Sequence, residues 1–202
     1  MTEATTLSEH FDALFAGDAD PWGCRTRWYE QRKRAMTLAS LPRARFRRAY
    51  EPGCAAGELT SGLAQRCDAV IATDASAAAV ERARERLCDF HNVVVSRAST
   101  PADWPVGKFD LIVISELGYY LDDQALSTLV DRCAASLSGD GVLVACHWRR
   151  LEPDLLRTGD AVNEAIGRHC GMPLLAHHLE EDFVLDVWSR DGGSVAAQEG
   201  LA

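Results

Sequence analysis

A glycine-containing turn flanked by acidic residues is the part of this sequence best suited to bind a ligand. Residues 50–59 read Tyr-Glu-Pro-Gly-Cys-Ala-Ala-Gly-Glu-Leu, and an apolar run one βα unit later ends in Asp74. Gly53 and Gly57 allow backbone conformations and close approaches that a side chain would resist. A carboxylate at the Asp74 position can accept hydrogen bonds from both hydroxyls of a ribose. Together these features predict nucleotide binding, whereas the turn alone also fits an ordinary βα connection.

Polar residues that can act on a substrate follow the fourth and fifth predicted strands. Glu116 and Tyr119 lie just after the fourth strand, and His147 ends the fifth. Because open α/β sheets place ligands beyond the carboxyl ends of their strands, these residues are predicted to converge on the substrate as catalytic residues. Glu116 is expected to orient an amine or accept its proton, and His147 to serve as a general base. A core or surface position is the alternative for His147.

Alternating β and α patterns predict the frame that positions these residues. Residues 8–41 indicate an amino-terminal helical region that residues 17–21 interrupt. The remaining pattern predicts strands at 48–51, 69–73, 92–96, 109–115 and 141–147, and helices at 57–65, 76–88, 122–137 and 160–170. Such alternation implies a mostly parallel sheet with helices on both faces. The last two apolar runs, 174–179 and 183–188, are separated by three residues, so they are predicted to form an antiparallel hairpin.

Composition limits the class of protein and its partners. The 202 residues suit one domain, divided into a helical cap (1–45), a ligand-binding core (46–190) and a flexible tail (191–202). A net charge of −9 disfavours nucleic acid and anionic membranes as partners. The sequence contains no apolar run of membrane-spanning length and no signal-peptide pattern, so a cytoplasmic protein is expected. Seven scattered cysteines without a C-x-x-C pair indicate neither a disulfide framework nor a metal site.

The glycine turn, the acid on each side of it and the fourth strand together resemble the class I methyltransferases that use S-adenosylmethionine (AdoMet). A closer resemblance is to the rhizobial nodulation protein S family, and it extends over roughly residues 11–140. It rests on Asp20-Pro21-Trp22, Tyr29-Glu30, the segment 51–57 and the segment 109–121. That family contains AdoMet-dependent N-methyltransferases that act on the free amine of a partly deacetylated chitooligosaccharide. The resemblance implies a single-domain, Rossmann-like α/β fold with AdoMet as cofactor.

The cofactor-binding residues are predicted by position within this resemblance. They are Trp22, Tyr29, Arg32, Glu51, Gly53, Cys54, Gly57, Asp74, Ala75, Ser99, Thr100 and Ser115. Ser99 stands where the family pattern commonly has an acid that meets the adenine amino group. A buried anchor is the alternative for Trp22. The basic stretch 25–48 is interpreted as a solvated face, or as the source of one arginine that reaches a carboxylate.

The chemistry of methyl transfer leaves the acceptor atom open at this stage. AdoMet already carries a good leaving group, so the protein must align the reactants and exclude water. An amine must be neutral when it attacks, whereas a hydroxyl also needs a general base. We expect an N-methyltransferase that acts on a small polar molecule, with an amino sugar as one candidate, and works as a monomer or homodimer without a metal. The alternatives are O-methylation, cofactor binding without catalysis, and a nicotinamide-dependent oxidoreductase, since Tyr29 and Lys33 have the Y-x-x-x-K spacing.

Overall fold

The protein is represented by a computed structural model that describes residues 3–18 and 20–202, with side chains from residue 8 onward. Met1, Thr2 and Ala19, which belong to the predicted cap, lie outside these residues. Within the described residues, the strands are β1 (Phe46–Pro52), β2 (Cys67–Asp74), β3 (Val93–Arg97), β4 (Phe109–Ser115), β5 (Leu137–Trp148), β6 (Leu174–Leu179) and β7 (Phe183–Ser189). The helices of the same part are α1 (Glu3–Gly17), α2 (Trp28–Ala39), α3 (Glu58–Arg66), α4 (Ala77–Arg86), α5 (Asp123–Ser136), α6 (Gly159–His169) and α7 (Val195–Gln198), with a 3₁₀ turn at Gly118–Tyr120.

All seven of these described strands form one mixed sheet in the order β3-β2-β1-β4-β5-β7-β6. The five strands β1 to β5 pair in parallel, and β7 pairs antiparallel with both β5 and β6. The three-residue link Glu180–Asp182 forces the hairpin, because a parallel return needs a long crossover. The predicted α/β architecture with an antiparallel closing hairpin is confirmed. Strand order reverses between β1 and β4, which is where such sheets open a crevice for a ligand.

The sheet separates two apolar layers. Successive residues of a strand point alternately to its two faces, so odd- and even-numbered residues enter different layers. In β5, Leu143 and Ala145 pack into the layer that contains Val162 and Ile166 of α6. Val144 and its even-numbered neighbours pack into the opposite layer. Strand β4 is buried along nearly its whole length, which explains its continuous apolar run.

The amino-terminal helices α1 and α2 pack near the carboxyl ends of the parallel strands. The hydroxyl of Ser76, at the start of α4, donates to Asp12 Oδ1 of α1 at 2.6 Å. In α2, the side chains of Lys33 and Thr37 are buried. These contacts place both helices beside the crevice. The predicted tail contains the short exposed helix α7. Among the described residues, no helix combines the length and hydropathy that a membrane span requires.

Candidate active site

One large cavity of about 1310 Å³ opens at the carboxyl ends of β1, β2 and β4. Its floor is formed by the glycine turn and the residues that follow β4, and its walls include side chains of α1 and α2. Phe11 of α1 packs edge-on against Tyr120 at a centroid distance of 5.0 Å, which brings α1 to the cavity mouth. The cavity lies at the point where the strand order reverses, as the crevice rule predicts.

The turn after β1 is held in shape by its neighbour β2. Gly53 has φ +72°, and Ala55 also lies in the left-handed region with φ +48°. The N–H groups of Gly53 and Cys54 both donate to the carbonyl oxygen of Thr73, at 2.7 and 3.0 Å. A residue with a Cβ atom at position 53 would be strained by this backbone angle. The turn therefore presents main chain and small side chains to the cavity.

Asp74 closes β2 and connects it to the turn. Its Oδ2 accepts the N–H of Ala55 at 2.9 Å, and its Oδ1 accepts the N–H of Ser76 at 2.9 Å. Burial raises the pKa of this carboxyl above its ordinary value, although hydrogen bonds from the backbone oppose the shift. Each carboxylate oxygen has a second acceptor site, and Asp74 lines the cavity. The residue is therefore placed to accept two vicinal hydroxyls of a ribose.

Glu51 is a buried acid at the end of β1, with only 3% of its surface exposed. Its Oε2 atom has no hydrogen-bond partner among the described residues, yet the side chain lines the cavity. Burial raises the pKa of this carboxyl to about 8. Because an unpaired buried carboxyl is costly, the site favours a cationic donor entering from the cavity. The ammonium of the amino-acid tail of AdoMet has the required charge.

Most of the other predicted cofactor residues also line the cavity. They are Trp22, Tyr29, Cys54, Ala75, Ser99, Thr100 and Ser115. Trp22 also packs edge-on against Phe15 at 5.5 Å, so it anchors the cap as well as lining the cavity. Burial raises the pKa of the Cys54 thiol well above its ordinary value, which keeps it neutral and a poor nucleophile.

Two predicted cofactor residues do not line the cavity. A Cβ atom on Gly57 would stand 2.9 Å from Leu87 Cδ1, so this glycine permits α3 to pack against α4. Arg32 points toward the hairpin, where it forms a bidentate ion pair with Glu180 at 2.8 and 2.6 Å. Its position on α2 explains the difference, because the cavity side of that helix carries Tyr29 and Lys33.

Glu116 lies at the centre of a charged cluster that the sequence did not predict. Lys33 of α2 donates from its Nζ to Glu116 Oε1 at 2.5 Å and to Glu30 Oε1 at 3.1 Å. Glu116 Oε2 accepts the hydroxyl of Tyr119 and the N–H of Trp148, the latter at 3.0 Å. Glu116 itself has φ +54°, a backbone conformation that few residues with side chains adopt. The cap and the core strands therefore meet at one carboxylate.

The charges of this cluster are mutually dependent. Burial alone lowers the pKa of Lys33, but the attraction of Glu116 and Glu30 outweighs it, so the net pKa is raised. Burial alone raises the pKa of Glu116, but the nearby Lys33 ammonium and the hydrogen bonds of the site bring it below its ordinary value. Both groups are therefore charged at neutral pH, and Oε1 of Glu116, which lines the cavity, keeps one acceptor position besides the Lys33 ammonium.

His147 does not reach the cavity, so the predicted convergence of three catalytic residues is wrong for this residue. The ring is fully buried in the layer shared with α6. Its Nε2 accepts the N–H of Gly118 at 3.2 Å, and its Nδ1 lies 2.7 Å from Asn163 Oδ1. Burial lowers its pKa, so the ring is neutral and both nitrogens are already hydrogen-bonded. His147 supports the turn that carries Tyr119 and cannot serve as a base for a substrate.

The structure describes no other catalytic apparatus at the cavity. Its cysteines are free thiols, and no cluster of potential metal ligands occurs among the described residues. Lys33, which lines the cavity and pairs with Glu116, is the principal residue of the cluster that the sequence interpretation did not single out. Its only sequence signal was the spacing from Tyr29, whose ring lies under the Lys33 ammonium at 5.1 Å.

Comparisons with known proteins agree with this geometry. The family model described as Nodulation protein S (NodS) matches residues 12–150. Nodulation protein S of Sinorhizobium fredii is 32% identical over 127 residues, covering 62% of this chain and 59% of the relative. Nodulation protein S of Bradyrhizobium diazoefficiens is 27% identical over 190 residues, covering 88% of this chain and 89% of the relative.

Solved structures extend the similarity to the fold. A putative methyltransferase from Pseudomonas syringae is 51% identical, with a TM-score of 0.74, and the alignment covers 81% of this chain and all of that one. The N-methyltransferase NodS from Bradyrhizobium japonicum WM9, in complex with S-adenosyl-L-homocysteine, has a TM-score of 0.79 at 24% identity. That alignment covers 90% of this chain and 97% of the other. The predicted class I methyltransferase fold is confirmed.

Proposed function

The chain belongs to the nodulation protein S family of AdoMet-dependent methyltransferases, and we propose that it transfers a methyl group to an amine of a small, polar, sugar-like molecule. The residues of the cavity fit the cofactor. Glu51 offers an unpartnered buried oxygen for its ammonium, and Asp74 offers two oxygens for its ribose. When bound there, AdoMet supplies an electrophilic methyl group on a sulfonium.

One observation carries the choice of an amine: at its centre the cavity presents an ionised carboxylate with a lowered pKa, and no histidine of the described residues lines it. His147 is hydrogen-bonded through both ring nitrogens behind the cavity. Glu116 has a lowered pKa, so it is a weak base but a strong hydrogen-bond acceptor. A hydroxyl would need a base to remove its proton, whereas a neutral amine needs only alignment. O-methylation is therefore the less favoured reaction.

The residues around Glu116 have distinct tasks in this reaction. Glu116 accepts an N–H of the acceptor amine and so directs the nitrogen lone pair away from itself, toward the methyl group. Tyr119 fixes the carboxylate through its hydroxyl, and Trp148 fixes it through its backbone N–H. The aromatic rings of Trp22 and Tyr120 line the cavity and exclude water from the charged centre.

An amino sugar is the substrate class we favour. The family resemblance supports it, and so does the charge of the cavity. Asp20, Glu152 and Asp154 line the cavity, and their carboxylates attract a cationic molecule. Free cysteines are consistent with work in the cytoplasm, which we also propose. We further propose that the active form is a monomer or homodimer.

The nicotinamide-dependent alternative is not supported by the position of its candidate residues. Tyr29 and Lys33 lie on α2, before the first strand, and Lys33 is already paired with two carboxylates. The turn after β1 has the G-x-x-x-G spacing instead of the dinucleotide fingerprint.

The test is a comparison of matched acceptors. A chitotetraose with one free amine and the fully acetylated chitotetraose are incubated with the protein and AdoMet, and released S-adenosylhomocysteine is measured. We expect turnover only with the free amine. Equal turnover of the acetylated sugar, which offers hydroxyls and non-nucleophilic amide nitrogens but no amine, would contradict N-methylation. No turnover with either sugar, together with turnover of other small amines, would retain N-methylation and reject the amino sugar.

A further inference from the structure

The Lys33 ammonium lies between two carboxylates that come from different parts of the fold. Glu116 follows the central strand β4, and Glu30 lies one helical turn before Lys33 on α2. The Lys33 side chain is only 7% exposed, so its charge is poorly screened by solvent. The three residues together carry one net negative charge next to the cavity.

This net charge matters because it acts on the acceptor amine. The nitrogen lone pair forms the bond to the methyl carbon as the carbon–sulfur bond breaks, and the electron pair of that bond stays on sulfur. An ammonium has no lone pair and cannot react in this way. Two carboxylates without Lys33 would hold the acceptor as an ammonium, because nearby negative charge favours the cationic form.

We propose that Lys33 is a positioning residue that balances Glu116 and Glu30, so that the acceptor bound beside Glu116 is held as a neutral, nucleophilic amine. The inference rests on the proposed N-methylation and goes beyond it by assigning a function to a residue of the cap helix. Lys33 does not touch the methyl group, and it acts through the carboxylate that orients the acceptor.

The other titratable groups in contact with the cluster do not change charge near neutral pH, whereas Glu51, which lines the same cavity with a pKa raised by burial to about 8, is shared by the wild type and every variant of the cluster. On α2 and the loop before it, burial raises the pKa of Tyr29 above its ordinary value and that of Cys24 to about 12. At the end of β5, burial raises the pKa of Cys146 to about 12, and His147 is kept neutral by burial. Burial also raises the pKa of Tyr119, beside Glu116. Differences in the pH profile between the wild type and variants of Glu30, Lys33 and Glu116 therefore report the charge of this triad.

The experiment measures kcat and KM from pH 6 to 9 with the mono-amine chitotetraose as probe. The acid limb of the pH profile is the range in which kcat/KM rises with pH as the acceptor loses its proton. In Lys33→Met, we expect this limb to move to higher pH by at least about one unit. At pH values below this limb, we also expect the KM of the sugar to decrease, because the ammonium form binds more tightly. In Lys33→Met/Glu30→Gln, which restores the original net charge, the limb should return toward that of the wild type. Glu30→Gln alone should move it down.

The control is Lys108→Met, since Lys108 is the only other lysine and its exposed side chain bonds to the carbonyl of Ala135. It should leave both parameters unchanged. An unshifted limb in Lys33→Met, or a double variant no better than the single one, would overturn the inference. A shifted limb with a raised KM would also overturn it, because Glu116 itself would then be taking up the proton. If Lys33→Met does not fold, the direction of the Glu30→Gln shift decides. An inactive wild type would instead reject the proposed function.

Discussion

Replacing Glu51 by glutamine is expected to stabilise the cofactor-free protein at pH 8 and at the same time to weaken cofactor binding. Glu51 is buried at the end of β1, and its Oε2 has no partner among the described residues. Burial raises the pKa of this carboxyl from 4.5 to about 8, so the native protein retains a proton that the unfolded chain has released. Glutamine has nearly the same shape and no proton to release.

The sign and size of the effect follow from linkage between protonation and folding. Below pH 4.5 the carboxyl is protonated in both states, and its contribution to stability is fully present. As the pH rises to about 8, the free energy of unfolding falls by about 1.4 kcal/mol per pH unit. The total loss over this interval is about 5 kcal/mol. At about 2–4 °C per kcal/mol, the variant should melt about 10–20 °C above the wild type at pH 8, with little difference at pH 5.

The assay combines thermal denaturation with calorimetry. Melting temperatures of the wild type and Glu51→Gln are compared at pH 5 and pH 8, with Glu85→Gln, an exposed position on α4, as the matched control. Binding of S-adenosylhomocysteine should weaken roughly 10- to 100-fold in Glu51→Gln, because a charge-assisted hydrogen bond of about 1.5–3 kcal/mol is lost. A melting difference that is the same at both pH values, or unchanged binding, would refute this account of Glu51.

Three other substitutions test neighbouring parts of the site. Asp74→Asn should weaken binding of S-adenosylhomocysteine by about one to two orders of magnitude in calorimetry, because the ribose and the Ala55 N–H lose a charged acceptor; wild-type affinity would show that the acid does not hold the ribose. Gly118→Ala should lower the free energy of unfolding by about 1–3 kcal/mol in urea denaturation, because its Cβ would overlap Val162; Val162→Ala in the same chain should recover most of the loss. His147→Gln should keep turnover within about tenfold, whereas a true general base would cost about 10²–10⁴-fold.

The element pattern was predictable because it depends on local periodicity. Strand β4 and the hairpin strand β6 have the predicted bounds, since apolar runs mark both. Strand β1 begins at Phe46, two residues earlier than predicted. The pattern predicts a later start because Arg47, a charged residue, is typical of an exposed position. Strand β5 begins at Leu137, before a polar Ser-Gly-Asp-Gly segment that has no strand signature.

The functional roles were harder to predict, because they depend on which face of an element meets the cavity. Lys33 lies in a run of basic residues, and only its burial against Glu116 distinguishes it from Arg32, which pairs with the hairpin. His147 lies on the same face of β5 as Leu143 and Ala145, and this alternation predicts that its side chain enters the core. The alternation along a strand alone, however, does not tell which face of the sheet lies toward the ligand.

The most direct test of the account is to locate the transferred methyl group. The protein is incubated with AdoMet labelled with ¹³C in its methyl group and the mono-amine chitotetraose, and the product is examined by two-dimensional NMR. The labelled methyl should be attached to the sugar nitrogen, because we propose that Glu116 aligns an amine and no histidine of the described residues lines the cavity. A labelled methyl on a sugar oxygen would contradict the account.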